Sequence, residues 1–155
     1  MTGTQWLLML HVASAFCFFG GSVAVGILNT LAIRAERPSE TARLLRLIRA
    51  GLPVVFLGVA GTLLFGIWLW HHLGFPLGTG WIWASLALWT VANALGGIGG
   101  RHQERARELA ERLAAEGDAS TDELRALLTD RTGLAISWAA GLATLAILVL
   151  MIWKP

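Results

Sequence analysis

AGLPVVFLGVAGTLLFGIWLWHHLGFPLGTGWIWASLALWTVANALGGIGG, residues 50–100, contains no Asp, Glu, Lys or Arg. It is too long for one crossing, since roughly 20 apolar residues span about 30 Å of bilayer hydrocarbon. It is also not one helix. Gly74-Phe75-Pro76-Leu77-Gly78-Thr79-Gly80 places a proline and three other breakers where a continuous helix tolerates none. The block therefore predicts two membrane helices, about 51–73 and 81–100, joined by a short hairpin. Residues 1–33 and 132–153 are equally free of charge and predict the outer pair, about 4–33 and 133–153.

In a chain of 155 residues with 55% hydrophobic and 14% charged side chains, this pattern excludes disorder and an ordinary soluble enzyme. The fold class is all-α: a single four-transmembrane-helix bundle over residues 1–155, with connections at 34–50 and 101–132. The lone Cys17 supports neither a disulfide framework nor a multi-cysteine metal site.

The basic residues set an orientation. Arg34, Arg37, Arg43, Arg46 and Arg49 lie in the first connection, and Arg101, Arg105, Arg107, Arg112, Arg125 and Arg131 in the second; only Lys154 is elsewhere. The positive-inside rule then puts both connections in the cytoplasm and both termini outside. Trp6, Trp68, Trp70, Trp81, Trp83 and Trp153 fall at the outer ends, where indole favours the interface. The first positive residue, Arg34, follows the first apolar run, so span one reads as a retained helix and not a cleaved signal.

After a Pro38-Ser39 start signal, Leu44, Leu45, Leu47 and Ile48 oppose Arg43, Arg46 and Arg49, which predicts an amphipathic helix on the inner leaflet, its arginines facing anionic lipid or a partner. Span three is expected to continue through Arg101–Glu116 and stop at Gly117-Asp118. A capping box, Ser120-x-x-Glu123, then starts a second short helix, giving a cytoplasmic helical hairpin.

Membrane helices approach closely through small residues. Gly58/Thr62/Gly66, Ala92/Gly96/Gly100 and Gly133/Ser137/Gly141 recur every four positions, with Gly61 and Gly21 on related stripes. Packing is therefore assigned to Gly21, Gly58, Gly61, Gly66, Gly96 and Gly100; the run 96–100 is a packing face, a kink or a flat floor for a planar cofactor. Asn29 and Asn93 are placed to bond between spans one and three.

No carboxylate, lysine or arginine lies inside a span, which leaves histidine as the intramembrane chemistry. His11, His71 and His72 gather at the outer side, and His72 shares the stripe of Gly58, Gly61 and Phe65; His102 lies at the inner end of span three. Neutral imidazole ligates haem iron, copper or zinc. His11 and His72, with His71 as the alternative, are the candidate ligands for haem b or for a metal in the same site. The competing reading makes His71 and His72 interfacial residues and has His11 bond a neighbouring carbonyl. Met9 sits on nearly the opposite face from His11, and Cys17 lies lower in the span.

The segment Leu10-His11-Val12-Ala13-Ser14-Ala15-Phe16-Cys17-Phe18-Phe19-Gly20-Gly21 resembles the opening helix of a group of small bacterial membrane proteins. The group includes CopD-type copper-resistance proteins, HemJ-type protoporphyrinogen oxidases and an uncharacterised family of integral membrane proteins of about this length. Gly80-Trp81-Ile82-Trp83-Ala84-Ser85-Leu86 and the four-span plan are most similar to the last. The resemblance implies a bacterial inner-membrane bundle, with His11 at the position of a haem b ligand. The chain has no intramembrane lysine, so the oxidase chemistry does not come with it.

With no Ser/His/Asp set, phosphate loop or paired carboxylates, the chain does not read as a stand-alone enzyme. Its basic residues are divided between two connections, which argues against nucleic acid. The expected function is an outer-side histidine site serving electron transfer or haem handling, in the bilayer as a homo-oligomer or beside a membrane redox partner. The alternatives are a cofactor-free accessory subunit and a copper or small-solute conduit.

Overall fold

A computed structural model describes residues 2–153, and Lys154 lies outside them. The described chain is helical throughout, without strands: α1 Gly3–Arg34, α2 Pro38–Leu73, α3 Gly80–Ala115, α4 Asp122–Leu128 and α5 Arg131–Trp153. Four helical stretches, α1, α2, α3 and Asp122–Trp153, are long and apolar enough to cross a membrane.

The interfacial helix expected over the first connection is instead the first three turns of α2. Gly51 and Pro53 both stand inside α2 without ending it. Proline there forgoes one backbone bond, a loss that an otherwise apolar and well-formed helix absorbs. Part of the apolar face of this segment is covered by protein: Ala42, Leu45 and Ile48 are buried while Leu47 stays 51% exposed, and Ala42 clusters with Ala110 of α3 and Leu124 of α4.

α3 continues past the apolar run to Ala115 and stops where the sequence indicates. Gly117 adopts φ +123°, and the Asp118 N–H bonds back to Leu113 O at 2.9 Å, the closing bond of a Schellman turn. The cap of α4 differs from expectation. Thr121, not Ser120, is the N-cap, and its hydroxyl accepts from the Leu124 N–H at 3.3 Å. Starting the helix one residue later makes Leu124 the third helical residue, where it is 2% exposed.

Contacts divide the chain into two compact units, Met1–Val25 with Ala50–Thr79 and Gly26–Arg49 with Gly80–Pro155. In the first, α1 and α2 are antiparallel in a single register. The pairs Thr4/His72, His11/Gly66, Ser14/Gly61, Phe18/Gly58 and Gly21/Val55 all have residue numbers adding to 75–77. In the second, α3 packs along α5 and against α4. Outward side chains along the spans are large and apolar, among them Phe16, Leu57 and Trp138, each more than 70% exposed. A soluble monomer does not leave such surface bare; lipid accommodates it.

Candidate functional site

Glycine shapes the first unit. A Cβ at Gly58 would overlap the backbone of Phe18 and Cys17, one at Gly61 would strike the Ser14 hydroxyl, and one at Gly21 would come within 2.6 Å of Val55 Cγ2. The backbones of α1 and α2 thus approach as close as small residues permit.

His11 occupies the gap opened by the next glycine. A Cβ at Gly66 would lie 3.1 Å from His11 Cε1 and 3.3 Å from Nδ1. Without that carbon, the ring reaches the Thr62 carbonyl, with Nδ1 3.1 Å from its oxygen. In a helix this oxygen already accepts from the N–H of residue 66, and its second lone pair is what the imidazole uses. The nearby hydroxyls do not compete: Thr62 Oγ1 donates to Gly58 O and Ser14 Oγ to Leu10 O.

Because a carbonyl only accepts, Nδ1 is the donor in this bond. The neutral ring then carries its lone pair on Nε2. This is the arrangement by which proteins orient a metal-ligating histidine, whose other ring nitrogen donates to a carbonyl or carboxylate.

His72 is held elsewhere. Its Nε2 lies 3.0 Å from Thr4 Oγ1, while His71 is exposed on a different face of α2. From Gly66, which His11 faces, to His72 is about 9 Å of helix at 1.5 Å per residue. One metal ion keeps its ligand nitrogens within roughly 4 Å of each other. The structure therefore turns His72 toward α1 but does not bring it to His11, because the register seats the two rings at different levels. No group of three or more His, Cys, Asp or Glu side chains suited to a metal occurs among the described residues.

Gly96 and Gly100 take no part in close packing. A Cβ on either meets nothing within 4 Å; in that run only Gly99 approaches a neighbour, Ser137 Oγ at 4.0 Å. Five consecutive small and apolar positions exceed what one helix contact uses. Asn29 and Asn93 do not pair. Asn29 Oδ1 accepts from Gln103 Nε2 at 3.2 Å, and Asn93 Nδ2 donates to Trp89 O of its own helix. Gln103 escapes a sequence reading because it lies beyond the apolar run; the unbroken helix-forming sequence after Gly100 is the available signal.

The arginine-rich end of the second unit is a built ion-pair chain. Arg46 Nε lies 3.3 Å from Glu111 Oε1, Arg49 pairs with Glu104, and Arg107 is 2.8 Å from both Glu104 and Glu111. The Arg107 hydrogen bond, with a further one from Arg49, holds the Glu104 carboxyl down to about 2; Glu104 in turn raises the Arg107 guanidinium above its usual range. Two of the three arginines expected to face lipid or a partner are thus engaged within the chain, and only Arg43 stays exposed without an ion pair. The Glu104-x-x-Arg107-x-x-x-Glu111 spacing is the sequence signal for this chain of pairs.

Asp118, which the sequence marks only as part of the stop of α3, has a second role. Its Oδ1 accepts from the Ser39 N–H and its Oδ2 from the Ser39 hydroxyl, each at 2.7 Å, so it caps the start of α2 from the α3–α4 turn. Those bonds hold its carboxyl below the ordinary range.

Four apolar helices, a charge-free hairpin and charges confined to the helix ends describe an integral membrane protein. A family model described as predicted integral membrane protein (DUF2269) matches residues 5–155. The chain belongs to that family. No curated protein and no solved structure matches it. Membership in DUF2269 carries the membrane architecture and assigns no cofactor, so the reading of His11 rests on the geometry around it.

Proposed function

We propose that this DUF2269 protein binds haem b, or a metal in its place, through His11 Nε2, for electron transfer or haem handling. The observation that carries the proposal is the Nδ1 to Thr62 carbonyl bond: it orients the ring and leaves the ligating nitrogen unprotonated. Gly66 supplies the room that a ring between two helices requires. The likeness of Leu10–Gly21 to the opening helix of HemJ-type and CopD-type proteins supports the same residue. When bound, haem would supply one-electron chemistry. The protein's part is to orient the imidazole and to exclude water with the apolar faces of α1 and α2. His72, one level further out and bonded to Thr4, does not share the site of His11 in this register.

The distribution of arginines supports cytoplasmic connections and outer termini, in a bacterial inner membrane. In that orientation His11 and His72 are on the outer side.

The test is the visible spectrum of protein expressed with ample haem and purified in mild detergent, as isolated and after reduction, with metal analysis on the same sample. A Soret band with sharpened α and β bands is expected for the parent and for H72A, and its loss is expected for H11A. A flat, metal-free spectrum, or an H11A variant that keeps its cofactor, overturns the reading. The first of these results supports a cofactor-free accessory subunit, a role favoured by the ion-paired helical platform at the arginine-rich end.

A further inference from the structure

Of the arginines of the second unit that stand outside the ion-pair chain, two line one cavity. Arg34 is the last residue of α1, and Arg125 lies in α4; neither has an acidic partner within ion-pair distance among the described residues. Both line a cleft of about 360 Å³, in the range of small-ligand sites. Ser120 adds a hydroxyl, and Ile33 and Leu128 give the cleft an apolar side. Glu36 is its one acidic side chain.

The position and chemistry of this cleft agree. Arg34 ends a helix long and apolar enough to cross a membrane, and a basic residue at such an end is suited to the level of lipid phosphates. Basic pockets between helices at that level bind anionic headgroups, and guanidinium is the side chain best matched to phosphate oxygens. Arg46 and Arg49, the obvious basic residues in the sequence, have carboxylates already; Arg34 and Arg125 have none.

We propose that this cleft binds a phosphate-bearing anion, its oxygens held between Arg34 and Arg125. The inference is independent of the haem reading, since it uses a different unit and different residues. The ligand's source is either an anionic lipid headgroup or a free phosphate compound, and one experiment separates them.

Full-length protein, delipidated in detergent, is offered equal phosphatidylglycerol and phosphatidylcholine, and the retained lipid is measured by native mass spectrometry, with and without millimolar inorganic phosphate. The parent is expected to retain phosphatidylglycerol preferentially. R34Q and R125Q should each lower that retention about fivefold, while R105Q, an exposed arginine outside the cleft, should leave it unchanged. E36Q should raise it, a gain that damaged folding cannot produce. Displacement of the lipid by inorganic phosphate identifies a site for free phosphate; resistance to it identifies a lipid site. Equal retention of the two lipids, together with no effect of inorganic phosphate on thermal stability, overturns the proposal. So do R34Q and R125Q variants that behave like R105Q, or losses in them without the gain in E36Q.

Discussion

In the hairpin of α1 and α2, Gly58 lies against the backbone of Phe18 and no charged side chain takes part. At the arginine-rich end of the other unit, Arg46, Arg49, Arg107, Glu104 and Glu111 form a chain of ion pairs beside a small core of Ala42, Ala110 and Leu124. The two regions answer to different solvents. In lipid there is no gain from hiding apolar surface, so helices are held by close backbone approach and by the few hydrogen bonds available, such as that of His11. In water the apolar core contributes again, and charge on the outside is inexpensive. One helix, α2, serves both regimes in sequence, which is why its first turns look amphipathic and the rest does not.

The contrast is broken most sharply at Gly58. G58L is expected to lower stability by roughly 3 kcal/mol, the cost of forcing extra volume into a closed contact, whereas G96A should be neutral or gain up to about 1 kcal/mol from helix propensity. Thermal unfolding of both variants in the same detergent checks this, and equal effects would remove the distinction between packed and open glycines. Next in size is the response to acid. The Glu104 carboxyl is depressed from 4.5 to about 2 and that of Asp118 is also lowered, so their contributions are present above the ordinary carboxylate value and are lost as pH falls through about 4.5 toward 2. Unfolding measured across that window should show a declining Tm, with a shallower decline in E104Q and in D118N.

A smaller effect is expected from salt. Raising sodium chloride to about 1 M screens exposed pairs, so hydrogen exchange at the arginine-rich end should quicken while that of residues 11–22 and 55–66 stays unchanged. The smallest effect concerns Trp89, whose indole N–H is buried without a partner. W89F removes an unpaired donor and should be neutral or stabilising by about 1 kcal/mol in a thermal melt.

The four spans are legible in the sequence because hydrocarbon excludes charge so strongly that a charge-free run over residues 50–100 points directly to lipid. The stop at Gly117 is legible from local turn chemistry. The start of α2 is not: the charged segment 38–49 reads as a helix separate from the apolar run, whereas the backbone continues as one helix from Pro38 through Gly51 and Pro53. At the candidate site, the sequence points to His11 and to the glycine stripe, but not to the Thr62 carbonyl, since a backbone acceptor has no signature among side chains. The levels of His11 and His72 likewise depend on the register of α1 against α2, which glycine spacing alone leaves open by a turn.

The bond between Ser39 and Asp118 joins residues 79 apart in the chain. A ribosome adding about 5–20 residues per second takes roughly 4–16 s to cover that distance. During synthesis, α2 therefore enters the bilayer with its first turn uncapped, and the polypeptide that completes it arrives only after span three has been made. The cap can therefore close only after the third helix has been synthesised.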